Sequence, residues 1–339
     1  MNYPPSAHAL RLVRSNLGWQ PGQAHFEPVW AGRHVRVFKV SCDGSDPVAL
    51  KEYAPDFRAT LTLQREFSGL RLLERFGACS CVPKALHQDS DHGVAMYEWK
   101  DGTVISPVDR GEDVFDPFVE FLASCAKIPA NELPDWSPDA ARSGAHLETS
   151  LHQRLEKIPR DHSGLKAWIE SKLQPALAQF AGQSRHAIES VLDWDQELPL
   201  ERRILAPSHL GFPDVIETTS RQIIFLTFSK FGQDDPAALL AQILHQSAQT
   251  ATPDQKARLI PKFFESFGSD PLLGTRFSAW FPLVGLQHTL DLLDVFCPMD
   301  RALRDFAGLV VRPKEEVLSH ALERADQSLE ALKTAVSDS

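Results

Sequence analysis

Lys51 closes the run Val48-Ala49-Leu50-Lys51, and Glu66 follows fifteen residues later, inside a segment whose apolar residues recur at helical spacing. A strand lysine braced by a helix carboxylate presents a fixed cation to phosphate oxygens. The ordinary alternative is a solvated surface lysine with an unrelated glutamate. The second stretch reads Leu205-Ala-Pro-Ser-His-Leu-Gly-Phe-Pro-Asp-Val-Ile216 and, after a turn, Ile224-Phe-Leu-Thr-Phe-Ser-Lys-Phe-Gly-Gln-Asp-Asp-Pro-Ala237. It supplies His209, an imidazole able to take a proton near neutral pH, and Asp214, a hard oxygen ligand for a cation.

The elements that must position these groups divide the chain. Phe26 to Trp30, Arg33 to Ser41 and Pro47 to Tyr53 are short alternating or β-branched runs separated by turn residues, and they predict strands. Leu63, Phe67, Leu70 and Leu73 predict an amphipathic helix over Leu61 to Phe76, closed by Gly77. Val82 to Leu86 and Gly93 to Trp99 read as two more strands joined by the polar turn Asp89-Ser-Asp-His92. Beyond Gly102 the texture becomes helical: Asp116 to Ile128, Leu147 to Ile158, Leu165 to Phe180, His186 to Leu192, Pro236 to Gln249, Lys256 to Phe267, Phe277 to Phe296 and Glu315 to Val336. Strand-like runs at Arg203 to Ala206, Asp214 to Glu217 and Gln222 to Phe228 interrupt it. The expected fold is α+β and two-lobed: a small β-rich N-lobe over residues 1–99, a linker over 100–106 and a larger helical C-lobe over 107–339.

The two loops at 205–237 resemble the catalytic and metal-binding loops of the aminoglycoside phosphotransferase/choline kinase family, which has a protein kinase-like fold. Members of one subgroup carry Pro-Ser-Asp-Phe-Gly-Phe-His-Asn and then Phe-(Leu/Ile)-Asp-Phe-Glu-Tyr-Phe-Gly-Trp-Asp-Asp-Pro-Ala. Pro207, Ser208, Gly211, Phe212, Phe225, Leu226, Phe228, Phe231, Gly232, Asp234, Asp235, Pro236 and Ala237 fit that pattern. Ala31-Gly32-Arg33 is similar to the nucleotide loop, and Tyr97-Glu98-Trp99-Lys100-Asp101-Gly102 to the hinge. The resemblance implies Gly32, Lys51, Glu66 and Glu98 as nucleotide-binding positions.

The departures fall on the chemical groups themselves. Where the family has the aspartate that receives or orients the acceptor hydroxyl proton, this chain has His209; the metal-binding asparagine is Asp214, and the principal magnesium aspartate is Thr227. Phosphoryl transfer rests on positioning and on neutralising phosphate charge, much of it through magnesium. The resemblance therefore implies a degenerate member: a pseudokinase with weak or absent ATP and magnesium binding, serving as a module for an unknown protein partner or small-molecule ligand. The alternative is an active ATP-dependent phosphotransferase on the hydroxyl of a sugar, amino alcohol or aminoglycoside-like molecule, with His209 as a substitute base and Asp214 as the metal ligand. Asp235, ahead of Pro236, is read as a structural helix cap. Gln287 and His288, polar residues on an otherwise apolar helix, are read as facing a wet groove in preference to an acceptor pocket.

A formal net charge of -10 argues against nucleic acid or an anionic membrane as the main partner, since both demand clustered Lys and Arg. No secretory signal and no run of about 18 apolar residues is present, so a cytoplasmic protein is expected. The cysteines, an odd five, make no disulfide framework, and Cys79-Ser-Cys81 lacks the spacing of a zinc knuckle.

Overall fold

The computed structural model describes residues 3–20, 22–32, 35–78, 80–207, 210–248, 250–307 and 313–337. In chain order they form α1 (Ala7–Leu17), β1 (His25–Gly32), β2 (Val35–Ser41), β3 (Val48–Tyr53), α2 (Phe57–Arg75), β4 (Ala85–Asp89), β5 (Val94–Glu98) and β6 (Thr103–Val104). There follow α3 (Asp116–Cys125), α4 (Gly144–Lys157), α5 (Ser163–Trp168), α6 (Gln174–Ile188), β7 (Ile204–Ala206), β8 (Val215–Glu217), β9 (Ile223–Phe225) and β10 (Gly232–Asp234). The chain closes with α7 (Pro236–Gln246), α8 (Pro253–Phe267), α9 (Leu273–Leu293), α10 (Pro298–Phe306) and α11 (Lys314–Ser337). The α+β expectation holds.

The chain divides into two compact units: Met1–Ile105 with 212–231 and 299–311, and Ser106–Gly211 with 232–298 and 312–339. The first unit is built on an antiparallel sheet of order β1-β2-β3-β5-β4. Side chains alternate across a strand, so β3 sends Leu50 to one face and Lys51 to the other. On the Leu50 face, Phe38, Val40, Val48, Leu50, Val94 and Met96 bury themselves beneath Ala9, Leu12 and Val13 of α1. Serine 6 caps α1 by accepting from Ala9 N, and its own amide donates to Glu52 Oε1 at 2.6 Å, tying the helix start to β3.

The expected helix at 61–76 is α2, one turn longer at its start, with Leu63, Phe67, Leu70 and Leu73 all buried. Gly77 takes φ +73°, where Ala78 N donates to Leu73 O and Gly77 N to Glu74 O, the paired bonds of a left-handed helix stop. The fourth strand runs Ala85–Asp89, later than the expected Val82 to Leu86, because Pro83 has no N–H to give a ladder. A short three-stranded sheet, β6-β8-β9, completes the unit.

The second unit packs α7, α6, α4 and α11 around α9, whose Ala279, Trp280, Leu283, Val284, Leu286, Leu290 and Leu293 are buried. Two helices expected at 165–180 and 186–192 are one continuous rod from Ser163 to Ile188, with a π turn at Ile169–Leu173. Pro175 follows that turn and has no N–H to donate, so the wider turn absorbs the missing bond without ending the rod. Among the described residues no helix is long and apolar enough to cross a membrane.

Candidate functional site

Antiparallel pairing sets Lys51 between Val37 of β2 and Ala95 of β5, on the sheet face away from α1. There Lys51 Nζ donates to Glu66 Oε1 at 2.5 Å, so the pair expected from spacing alone is formed. Glu66 lies one helical turn from Leu63 and Leu70, which help anchor α2, and its side chain is only 4% exposed. Its second oxygen accepts from the Tyr53 hydroxyl at 2.5 Å, and Tyr53 in turn lies 2.9 Å from the Tyr97 hydroxyl. Burial first, then the Glu66 carboxylate, holds both phenols well above the ordinary tyrosine value, so both stay protonated. The lysine ammonium also lies 5.0 Å over the Tyr97 ring. A buried carboxylate is thus satisfied by a cation and a phenol, while Tyr97 closes the space behind them. Sequence reasoning gave neither tyrosine a part in this cluster; alternation along β3 and β5 places both on the lysine face.

Asp214 and Thr227 belong to the same unit. Asp214 ends a short turn, Phe212–Asp214, just ahead of β8, where a strand start was expected. Thr227 lies beyond the end of β9 at Phe225, in irregular backbone and not in the strand expected to reach 228. Leu226 N donates to Asp214 O at 2.9 Å, which aligns the two loops. Phe228 and Phe231 stack at 5.0 Å, and Phe231 presses on α2 so closely that a Cβ on Gly69 would come within 2.1 Å of its ring. Held this way, Thr227 Oγ1 donates to Asp214 Oδ1 at 2.8 Å. Asp214 is half-buried, and desolvation raises its pKa; the Thr227 hydrogen bond and the Lys51 charge act in the opposite direction.

Lys51, Glu66, Asp214 and Thr227 therefore form one electrostatic neighbourhood with a single cation and two acids, one acid already neutralised by the cation. A magnesium ion seeks near-octahedral oxygen ligands, commonly one or two carboxylates with phosphate and water. The residues here do not fit it well: one carboxylate is left, desolvated and already engaged by a neutral hydroxyl.

The other expected positions are distributed as follows. Glu98 ends β5; its Oε1 accepts from Lys100 Nζ at 2.7 Å and its Oε2 from Lys84 N at 3.2 Å. Gly32 ends β1, paired with Val35, and Arg33 lies outside the described residues. So do Ser208 and His209.

In the second unit, Asp235 is the cap that sequence reasoning expected and more. It accepts from Ala237 N at 2.9 Å, from Arg276 Nε at 2.7 Å and from Trp280 Nε1 at 2.8 Å. Gln287 and His288 border a cavity of about 20 Å³ with Asp139, Arg154 and His245, room for about one water.

No protein-family model matches the chain, and no curated protein matches it in sequence. Its fold is found among solved structures. A Plasmodium vivax ethanolamine kinase superposes with a TM-score of 0.63 at 14% identity, covering 93% of this chain and 86% of that one. Spectinomycin phosphotransferase, solved with ADP and spectinomycin, gives 0.61 at 12% identity over 95% and 98%. A choline kinase from Streptococcus pneumoniae gives 0.58 at 13% identity over 94% and 96%. The chain has the protein kinase-like fold that these small-molecule kinases share.

Proposed function

We propose that this chain is a catalytically inactive kinase-like protein, a cytoplasmic module that binds a small-molecule ligand or a protein partner in place of transferring phosphate. The hydrogen bond from Thr227 to Asp214 carries the reading. At the position where the family resemblance calls for the magnesium aspartate there is a neutral hydroxyl, and that hydroxyl is spent on the one carboxylate left. Burial raises the pKa of that carboxylate, which lowers its value as a ligand for a hard dication. The base position, His209, adds a second replacement. A scaffold that keeps its frame without these groups can still change shape on binding.

One observation favours the second reading, an ATP-dependent phosphotransferase acting on a small-molecule hydroxyl. The Lys51–Glu66 pair is intact and braced by Tyr53, and it remains suited to hold phosphate oxygens.

Calorimetric titration with ATP, with and without magnesium, separates the two. The proposal expects no magnesium enhancement in the natural chain and a gain of enhancement in the double variant Asp214→Asn/Thr227→Asp, which restores the arrangement of the resemblance. Micromolar, magnesium-enhanced ATP binding by the natural chain, with ADP formed on a panel of hydroxyl acceptors and lost in Lys51→Ala and Asp214→Ala, would instead establish an enzyme.

A further inference from the structure

On the α1 side of the sheet, remote in its face from Lys51, three side chains with no part in the proposed function converge. His8 stands in the first turn of α1; Asp89 ends β4; His92 lies in the tight turn to β5. Each offers an atom able to ligate a metal, and these atoms all lie within 4.8 Å of one another. We propose that His8, Asp89 and His92 bind a divalent transition ion of the zinc class.

The turn prearranges two of the ligands. His92 N donates to Asp89 O at 3.3 Å, Gly93 takes φ +65°, and His92 Nδ1 sits 2.8 Å from Asp89 Oδ2. The third is delivered by α1, whose position is fixed by the apolar contacts of Ala9, Leu12 and Val13 and by the bond from Ser6 to Glu52. His8 Nδ1 is buried with no hydrogen-bond partner, an uncompensated polar atom on one of the three residues.

Two imidazoles and one carboxylate select the class of ion. Zinc and its neighbours take nitrogen and carboxylate together at about 2.0–2.2 Å in a tetrahedral shell whose fourth position water can fill. Magnesium and calcium prefer oxygen alone. The carboxylate partly offsets the dication, and His8 comes from a helix far in sequence from the Asp89–His92 turn, so the ion would fasten the first helix to the β4–β5 turn.

The two rings stack, with centroids 3.8 Å apart and planes 16° from parallel, so their lone pairs do not converge as they stand. His92 is the ring free to adjust: its side chain is 40% exposed, whereas His8 is held by the helix. On coordination the His92 ring turns and exchanges its hydrogen bond to Asp89 for a bond from Nδ1 to the metal, and its proton shifts to Nε2.

The test is thermal unfolding of the EDTA-stripped full chain with added zinc chloride. The natural protein is expected to gain several degrees in Tm, reversed by EDTA. The gain is expected to vanish in His92→Gln and in His8→Gln and to persist in His186→Gln, which alters an exposed histidine of the other unit. Far-UV circular dichroism without metal verifies that each variant folds. Cobalt(II) is a second readout: an intense visible band is expected from the natural chain and not from His92→Gln. No rise in Tm and no cobalt band in the natural protein, or a rise undiminished in both cluster variants, overturns the site.

Discussion

Arg276 grips both carboxylate oxygens of Asp235, forty-one residues before it, with Nε at 2.7 Å from Oδ2 and Nη2 at 3.0 Å from Oδ1. Arg276 and Asp235 are both at most 2% exposed, and Trp280 and the first turn of α7 fill the remaining lone pairs. A buried pair of this kind is costly to break, because removal of one member strands the other in a poor dielectric.

Asp235→Ala is accordingly expected to lose about 3–5 kcal/mol in urea unfolding, the loss typical of a broken buried pair. Asp235→Asn keeps the helix cap and one acceptor and should lose less. Equal, small losses in both variants would mean that the cap alone matters and the arginine is satisfied by Asp270.

Thr227→Val tests the bond that joins the two altered loops. Removing the hydroxyl should cost roughly 1–2 kcal/mol, with Thr227→Ser nearly neutral. The cost also has a pH sign. The folded pKa of Asp214 is raised, so its contribution to stability is lost as pH rises through that folded value. The Thr227 hydroxyl favours the ionised form and limits this loss. The valine variant should therefore be penalised more at pH 8 than at pH 5, and a penalty independent of pH would remove Asp214 from the explanation.

At Gly69 α2 passes close against Phe231 of the Thr227 loop. An added methyl group would reach within 2.1 Å of the Phe231 ring, which is buried and stacked on Phe228. Gly69→Ala should cost about 1–3 kcal/mol by overpacking, outweighing the usual gain from alanine in a helix. The double change Gly69→Ala/Phe231→Leu should recover part of the loss; no recovery would place the strain elsewhere.

Much of this arrangement was legible in the chain because it is local. Period-two runs gave the sheet, the repeat through Leu63, Phe67, Leu70 and Leu73 gave α2, and Gly77 gave its end. The Lys51–Glu66 pair followed from strand and helix order. Helix α1 escaped notice because its buried stripe is a single turn, Ala9, Leu12 and Val13, although Ser6 and Gly18 cap it at both ends. Helix α10 buries only Asp300 and Leu303 and offers no apolar period to read. Thr227 fell within the expected strand Gln222 to Phe228, since its bond to Asp214 depends on where two loops meet. His8 and His92, eighty-four residues apart in sequence, are brought together by packing, which no spacing rule reports.

Two titratable groups of the helical unit, the buried Asp234 and the half-buried His245, should drive stability in opposite directions with pH. Asp234 is fully buried, and desolvation, resisted by amide hydrogen bonds from Ala141 and Asp235, pushes its pKa up to about 7. An unfolded aspartate ionises near 3.9, so between about pH 4 and 7 the folded chain holds a proton that the unfolded chain has released, and stability falls as pH rises. His245 Nε2 donates to Phe281 O at 2.8 Å, and burial depresses its pKa to about 4. Its unfolded counterpart gains a proton near 6.5, so stability falls as pH drops from about 6.5 towards 4. In the natural chain the two slopes oppose each other over most of one window. Each substitution should unmask the other: Asp234→Asn is expected to become progressively more favourable relative to the natural chain from pH 4.5 to 7.5, and His245→Gln progressively more favourable from pH 7.5 to 4.5. The changes should be on the order of 1–3 kcal/mol across the range, read from urea midpoints at constant slope. Parallel curves for variant and natural chain would show that the group concerned does not change its protonation between the folded and unfolded states.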